Sequence, residues 1–439
     1  MSRVLVLLAA TALSLLGHGQ SDTALAPLTP TDTSRYAALH RLVRPPAPPP
    51  RFTGPLPGPR LRFEARGGYD SNALLNELVM GLWRGEYLDR DLRQRTRDAL
   101  TGRNRAGYEA SAELDLSFGR GLFGDSTLRA VIGLSSRTVM GMRFTDAVYD
   151  LTFFGNKDYV GTTAVLAPSA QEQQRYQTLG FGVQLAGRAT YARLDLVSGQ
   201  YLSSVHLDKA DLYTAPDGTS LTADLDGTWL SSDTGSTTGF VNGMGAALDL
   251  GLELRGTFFG RPLTTRLRVD DLGLVRWNDR ALGLTKQEVV VYDGLTIDDV
   301  LDFEGSFFEE GQLRDSLALN AEEAAFTRWL PARLQAAFWY TLHRGKVKPR
   351  PGPADLTIDH LVVPGYIPRI TLTRSLNLSR RWSVNGSLAY GGFGGLRLGA
   401  GAWLQLKRGA LWADVPNLVG LVSPSAKGKA LGIGFTYGF

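Results

Sequence analysis

From about Ala110 to the last residue, apolar and polar side chains alternate with a period of two, and that period fits extended strands with one apolar face rather than helices. Ala112, Leu114, Leu116 and Phe118 alternate with Glu113, Asp115 and Ser117, and Leu179, Phe181, Val183 and Leu185 with Gly180, Gly182 and Gln184. Leu248, Leu250, Leu252 and Leu254 are interleaved with Ala247, Asp249, Gly251 and Glu253, and Leu334, Ala336, Phe338 and Tyr340 with Arg333, Gln335, Ala337 and Trp339. Nowhere past the first residues is there an unbroken run of about 18 apolar residues, so a bundle of membrane helices is excluded. High glycine (51), 10% aromatics and a mean hydropathy of −0.09 fit strands with one wet and one dry face.

A soluble antiparallel sandwich would show the same alternation. The strands here reach the roughly ten residues that a tilted membrane crossing needs, and their apolar faces carry aromatics at the ends, as in the girdles of a transmembrane barrel. Towards the C terminus Trp382, Val384, Leu388 and Tyr390 share one face, and Leu396, Leu398, Leu404 and Leu406 oppose Arg397, Gly399, Gln405 and Lys407. The final strand places Leu431, Ile433, Phe435, Tyr437 and Phe439 opposite Ala430, Gly432, Gly434, Thr436 and Gly438. A terminal Phe439 closing such a strand is similar to the signal read by the outer-membrane insertion machinery, an expected partner together with outer-membrane lipid. With the C terminus in the periplasm, Ser379 to Arg381 and Lys407 to Gly409 become periplasmic turns, and Gly391 to Gly395 and Val422 to Gly428 extracellular ones. The segments Tyr213 to Gly239 and Arg344 to His360 are expected as external loops or lumen-filling excursions.

Met1-Ser2-Arg3, the apolar stretch Val4 to Leu16 and Gly17-His18-Gly19 read as a cleavable signal peptide over residues 1–19, with the cut after Gly19. About 13 apolar residues are too few for a spanning helix. No Cys follows, so a lipoprotein, a disulfide and a thiolate metal site are all excluded. Residues 20–108 are expected to form an extension with short helices and a possible lumen plug, and residues 109–439 the barrel. Within the extension, Arg44 to Pro50 is a stiff, extended spacer. Leu74, Leu78 and Leu82, after candidate caps at Asp70 and Ser71, and then Leu88, Leu92 and Leu100, predict two short amphipathic helices, either ordinary surface helices or, in a barrel, segments that plug the lumen or rest on its periplasmic mouth.

Chemistry is sparse, and no catalytic, cofactor-binding or metal-ligating residue is predicted. His40, His206, His343 and His360 show no metal-ligand spacing, and no G-x-S-x-G elbow is present. The acids from Asp208 to Asp217, with Asp224 and Asp226, match no calcium loop and read as solvated external loops. Asp270-Asp271 and Asp298-Asp299 are adjacent pairs, which on a regular strand point to opposite faces and read as turn or loop contacts. Gly391 to Gly395 joins two strands and lacks the Lys and helix of a phosphate loop. The net charge of +4 is scattered, which gives no support for nucleic-acid binding.

Several phrases carry a resemblance: Asn104 to Gly107, Leu212 to Thr219, Gly245 to Gly251, Val269 to Asn278, Tyr292 to Asp299, Trp329 to Ala332, Ala389 to Gly395, and Pro416 to Gly420 leading to Phe439. The chain resembles a family of Bacteroidota outer-membrane proteins of unknown function, related to the long-chain fatty-acid transporter barrels. The resemblance implies an all-β, transmembrane antiparallel up-and-down barrel of about 14 strands with an N-terminal segment associated with its lumen. The expected function is passage of small or hydrophobic solutes across the outer membrane. The alternative is a non-transporting scaffold for envelope or secretion proteins, with the proline-containing extension Ala24 to Phe52 departing from the family pattern.

Overall fold

The computed structural model describes residues 59–118, 125, 127–185, 189–232, 241–258, 261–293, 322–340, 355–379 and 381–439. The residues expected to form a signal peptide and a proline-rich spacer lie outside them. Among the described residues, fourteen antiparallel strands close into one barrel. They are β1 Arg60–Ser71, β2 Asn104–Ser117, β3 Leu128–Phe144, β4 Ser169–Leu185, β5 Tyr191–Thr214, β6 Gly243–Phe258 and β7 Arg261–Trp277, followed by β8 Arg333–Tyr340, β9 Asp355–Leu361, β10 Ile367–Asn377, β11 Trp382–Gly392, β12 Arg397–Gln405, β13 Gly409–Val415 and β14 Lys429–Gly438. Each pairs with the next, and β14 pairs back onto β1 with Gly438 opposite Arg60, so the ring has no free edge to satisfy.

The alternation sorts the two faces as expected. Leu179, Phe181, Leu194, Leu196, Leu252, Leu398 and Ile433 stand exposed on the outer wall, while Asp195, Asp249, Glu253 and Arg397 are buried inside. Such a continuous apolar belt on a closed barrel is a lipid-facing surface, since a water-soluble protein would have to bury it. Phe118, Trp382, Tyr437 and Phe439 are exposed at the C-terminal end of the belt and Tyr390 at the other. The β10–β11 and β12–β13 turns lie at the end that carries Phe439, and residues 393–396 and 416–428 at the opposite end, the outer one in the orientation expected from the sequence.

Two expectations for the front of the chain are corrected. The barrel begins at Arg60, not at residue 109: Arg60–Ser71 bonds to strands on both sides, and its charged, period-two lumen face had concealed it. The helices α1 Asn76–Arg84 and α2 Arg90–Asp98 form where the leucine spacing places them, but they connect β1 to β2 at the outer end. The N-cap of α1 is Leu75, which makes no side-chain cap bond, whereas Ser71 Oγ accepts from the Ala73 and Leu74 amides just before it; Asp89 caps α2. With α3 Asp146–Phe153, these helices cover Tyr69, Tyr108, Met140 and Met142. Those residues share the face of Phe63, Leu114 and Leu134, an even number of positions away in the same strands, so the helices pack on the outside of the wall and not in the lumen. Asn76 locks this hood to α4 Leu418–Val422 and its loop, donating to the carbonyls of Gly420 and Ser423 and accepting from the Gly428 amide at 2.7 Å.

β5 is 24 residues long and changes partner along its length. Tyr191 to Gly199 pairs with β6, and Ser203 to Thr214 pairs with the strand Ser220–Ser231, which pairs in turn with Leu282–Asp293. A sheet thus rises from the barrel rim. Asp211, Asp224 and Asp226 belong to it as paired strand residues because β-pairing continues past the belt, while Asp208 sits at a bulge of the same strand and Asp217 lies in the turn between the two strands. β8 ends at Tyr340 and β9 starts at Asp355, both on the side of the barrel that carries the C terminus. Residues 344–354 lie outside those described, and Asp355 to His360 belongs to β9.

Candidate functional site

The lumen is where the charged side chains converge. Arg193 on β5, almost wholly buried, lies 3.0 Å from Asp115, 2.9 Å from Asp195, 2.7 Å from Asp249 and 3.5 Å from Glu113. Glycines make room for it: a Cβ at Gly180 would fall 2.0 Å from Asp195 Oδ1 and 2.7 Å from Arg193 Cδ. A second cluster has Asp359 gripped by both arms of Arg369 at 2.9 and 3.0 Å, by the Tyr366 hydroxyl at 2.5 Å, and by Arg333, which also pairs with Glu109. Charge-assisted, bidentate pairs of this kind are the strong ones, and in a dry interior they fix geometry as much as they stabilise.

The adjacent pair Asp270-Asp271 corrects the expectation of opposite faces. The β6–β7 register slips between Leu248 and Leu250, and Asp271 adopts a left-handed φ of 56°. That bulge turns both carboxylates inward, where Asp270 bonds Arg268 and Asp271 bonds Arg137 at 2.7 Å. Asp298-Asp299 lies outside the described residues.

Between these clusters remains a void of about 40 Å³, lined by Glu64, Arg66, Glu109, Arg137 and Asp271 among others, room for little more than a water or two. Three outer-end segments close it from above. Leu330 packs with Val275 and Trp277 inside β7; Pro364 lies over Gly141, and Phe393 over Gly107, both lumen-facing glycines that a Cβ would drive into these segments. These loops, not the predicted helices, fill the outer mouth.

Of the four remaining histidines, His206 meets Asp208 in the outer sheet at 3.1 Å, and His360 packs edge-on to Tyr366; His40 and His343 lie outside the described residues. Among the described residues no cluster of three or more His, Cys, Asp or Glu could hold a metal ion. Gly391 to Gly395 joins β11 to β12, as expected, with Gly391 and Gly392 at positive φ. The residues that sequence reading missed are Arg193, Arg333, Asp359 and Arg369. Their signal was present: Arg193 and Asp195 occupy the polar positions of Tyr191 to Val197, but the partner strands lie far off in sequence.

The molecule is thus a closed, 14-stranded antiparallel barrel of the membrane-spanning kind, with a lumen lined by paired charges. Residues 68–413 match the family of unknown function DUF5723, and the chain belongs to that family. No curated protein matches the sequence. Among solved structures it is similar to the P. putida toluene transporter TodX, with 10% identity, a TM-score of 0.38 and coverage of 97% of this chain and 99% of that one. It is also similar to a Pseudomonas aeruginosa FadL homologue (10%, TM-score 0.33, 97% and 100%) and to the translocator domain of the autotransporter NalP from Neisseria meningitidis (10%, TM-score 0.29, 87% and 88%).

Proposed function

We propose that this chain is an exported outer-membrane barrel that serves as a sealed scaffold, holding a structured outer surface for envelope or secretion proteins rather than an open path for solutes. The observation that carries the reading is the lumen: among the described residues, the void between the paired charges holds about 40 Å³, and three outer-end segments lie across the barrel. Apolar solutes would meet buried ions along that axis, an environment that excludes them. Insertion through the final strand ending at Phe439 is part of the same reading. The test combines planar-bilayer recording of the purified protein with cross-linking in cells. A silent bilayer and a captured envelope partner are expected; steady single-channel steps from the unmodified protein would overturn it.

One feature favours passage of small or hydrophobic solutes as a second reading: the closing segments are loops, which can withdraw without breaking the ring. Solute uptake that depends on shortening residues 362–366 would establish it.

A further inference from the structure

On the outer wall, just below the helical hood, the surface is concave over a volume of about 500 Å³. Its floor is apolar, with Leu114, Leu134, Leu179 and Leu196 paired side by side across four strands. One step towards the hood, the lipid-facing row changes character: Ser136 pairs with Gln177 and Gln177 with Ser198. Another step up stands Arg175, paired with Thr138 and two residues from Gln177, hence on the same outer face. Arg175 is half-buried and makes no ion pair among the described residues. Small side chains at the groove's upper rim and an outward guanidinium above it are unusual on a barrel wall, where large aliphatics and aromatics normally complete the belt.

We propose that this groove holds one phosphate-bearing lipid of the membrane, its acyl chains along the leucine floor, its glycerol region against Ser136 and Gln177, and its phosphoryl group on Arg175. The charge is complementary, the polar rim lies where an ester region would, and the only bulk phase that the groove faces is lipid. The proposal rests on the outer-membrane reading, so the gel shift on heating is recorded for each preparation as an independent report of a folded barrel.

The test is native mass spectrometry of the full chain in detergent, titrated with dilauroylphosphatidylglycerol or with dilauroylglycerol, which lacks the phosphate. One phosphatidylglycerol should be retained about tenfold more tightly than dilauroylglycerol. Arg175→Gln should bring the two lipids to parity, and Ser136→Phe, which fills the groove, should weaken both. Equal retention of the two lipids by the unmodified protein, or retention unchanged in heat-shiftable Arg175→Gln, would overturn the assignment.

Discussion

Arg193 is held by four carboxylates from β2, β5 and β6, so a single side chain ties together three strands that are far apart in sequence. Replacing it by Met leaves these acids facing one another in a dry interior, and stability should fall by about 3–5 kcal/mol, the cost of breaking a buried pair from one side. The check is the urea midpoint of the heat-modifiable band. Gly180→Val attacks the same cluster by volume, since its Cβ would sit 2.0 Å from Asp195 Oδ1. A loss of about 1–3 kcal/mol is expected from overpacking, whereas a valine at the open position of Gly386, where a Cβ meets nothing, should leave the midpoint within about 0.5 kcal/mol of the parent. That these charges face inward was legible from alternation alone. That they meet was not, because register between strands such as β2 and β5 depends on the intervening wall, and the left-handed Asp271 has no local sequence mark.

At the scale of elements, the hood shows what periodicity can and cannot tell. The leucines of α1 and α2 marked both helices correctly, but a leucine stripe says only that a helix needs an apolar neighbour. The neighbour here is the outer wall above the belt, where Tyr108, Met140 and Met142 extend strands past the lipid. The hood's union with the last loop hangs on Asn76, whose amide bonds cross more than 340 residues of sequence. Asn76→Ala should strand the Gly420 and Ser423 carbonyls and the Gly428 amide, a local loss of about 1–3 kcal/mol. Limited proteolysis should then cut between residues 416 and 428, with the barrel still shifting on heating; an unchanged cleavage pattern would show that the backbone bonds from Asn76 and Glu77 to Ala426 and Pro424, together with Lys427, hold the loop without the Asn76 side chain.

For the whole molecule, closure is the decisive contact. Removing residues 429–439 would leave β1 and β13 with unpaired edges inside lipid, where each orphaned backbone group costs several kcal/mol. No heat-modifiable band should form from that truncated chain, while removal of Phe439 alone, past the last paired residue, should slow assembly and leave the assembled form's urea midpoint close to the parent's. β5 gives the closed ring one more property. Its 24 residues span about 80 Å, running from the Arg193 cluster through the wall and on into the outer sheet without a linker. Anything that grips the strand at Asp211 or Tyr213 therefore pulls on the same strand that carries Arg193, and a tug on that sheet travels through the bulges at Gln200 and Asp208 to reach the lumen as strain on the ion pairs.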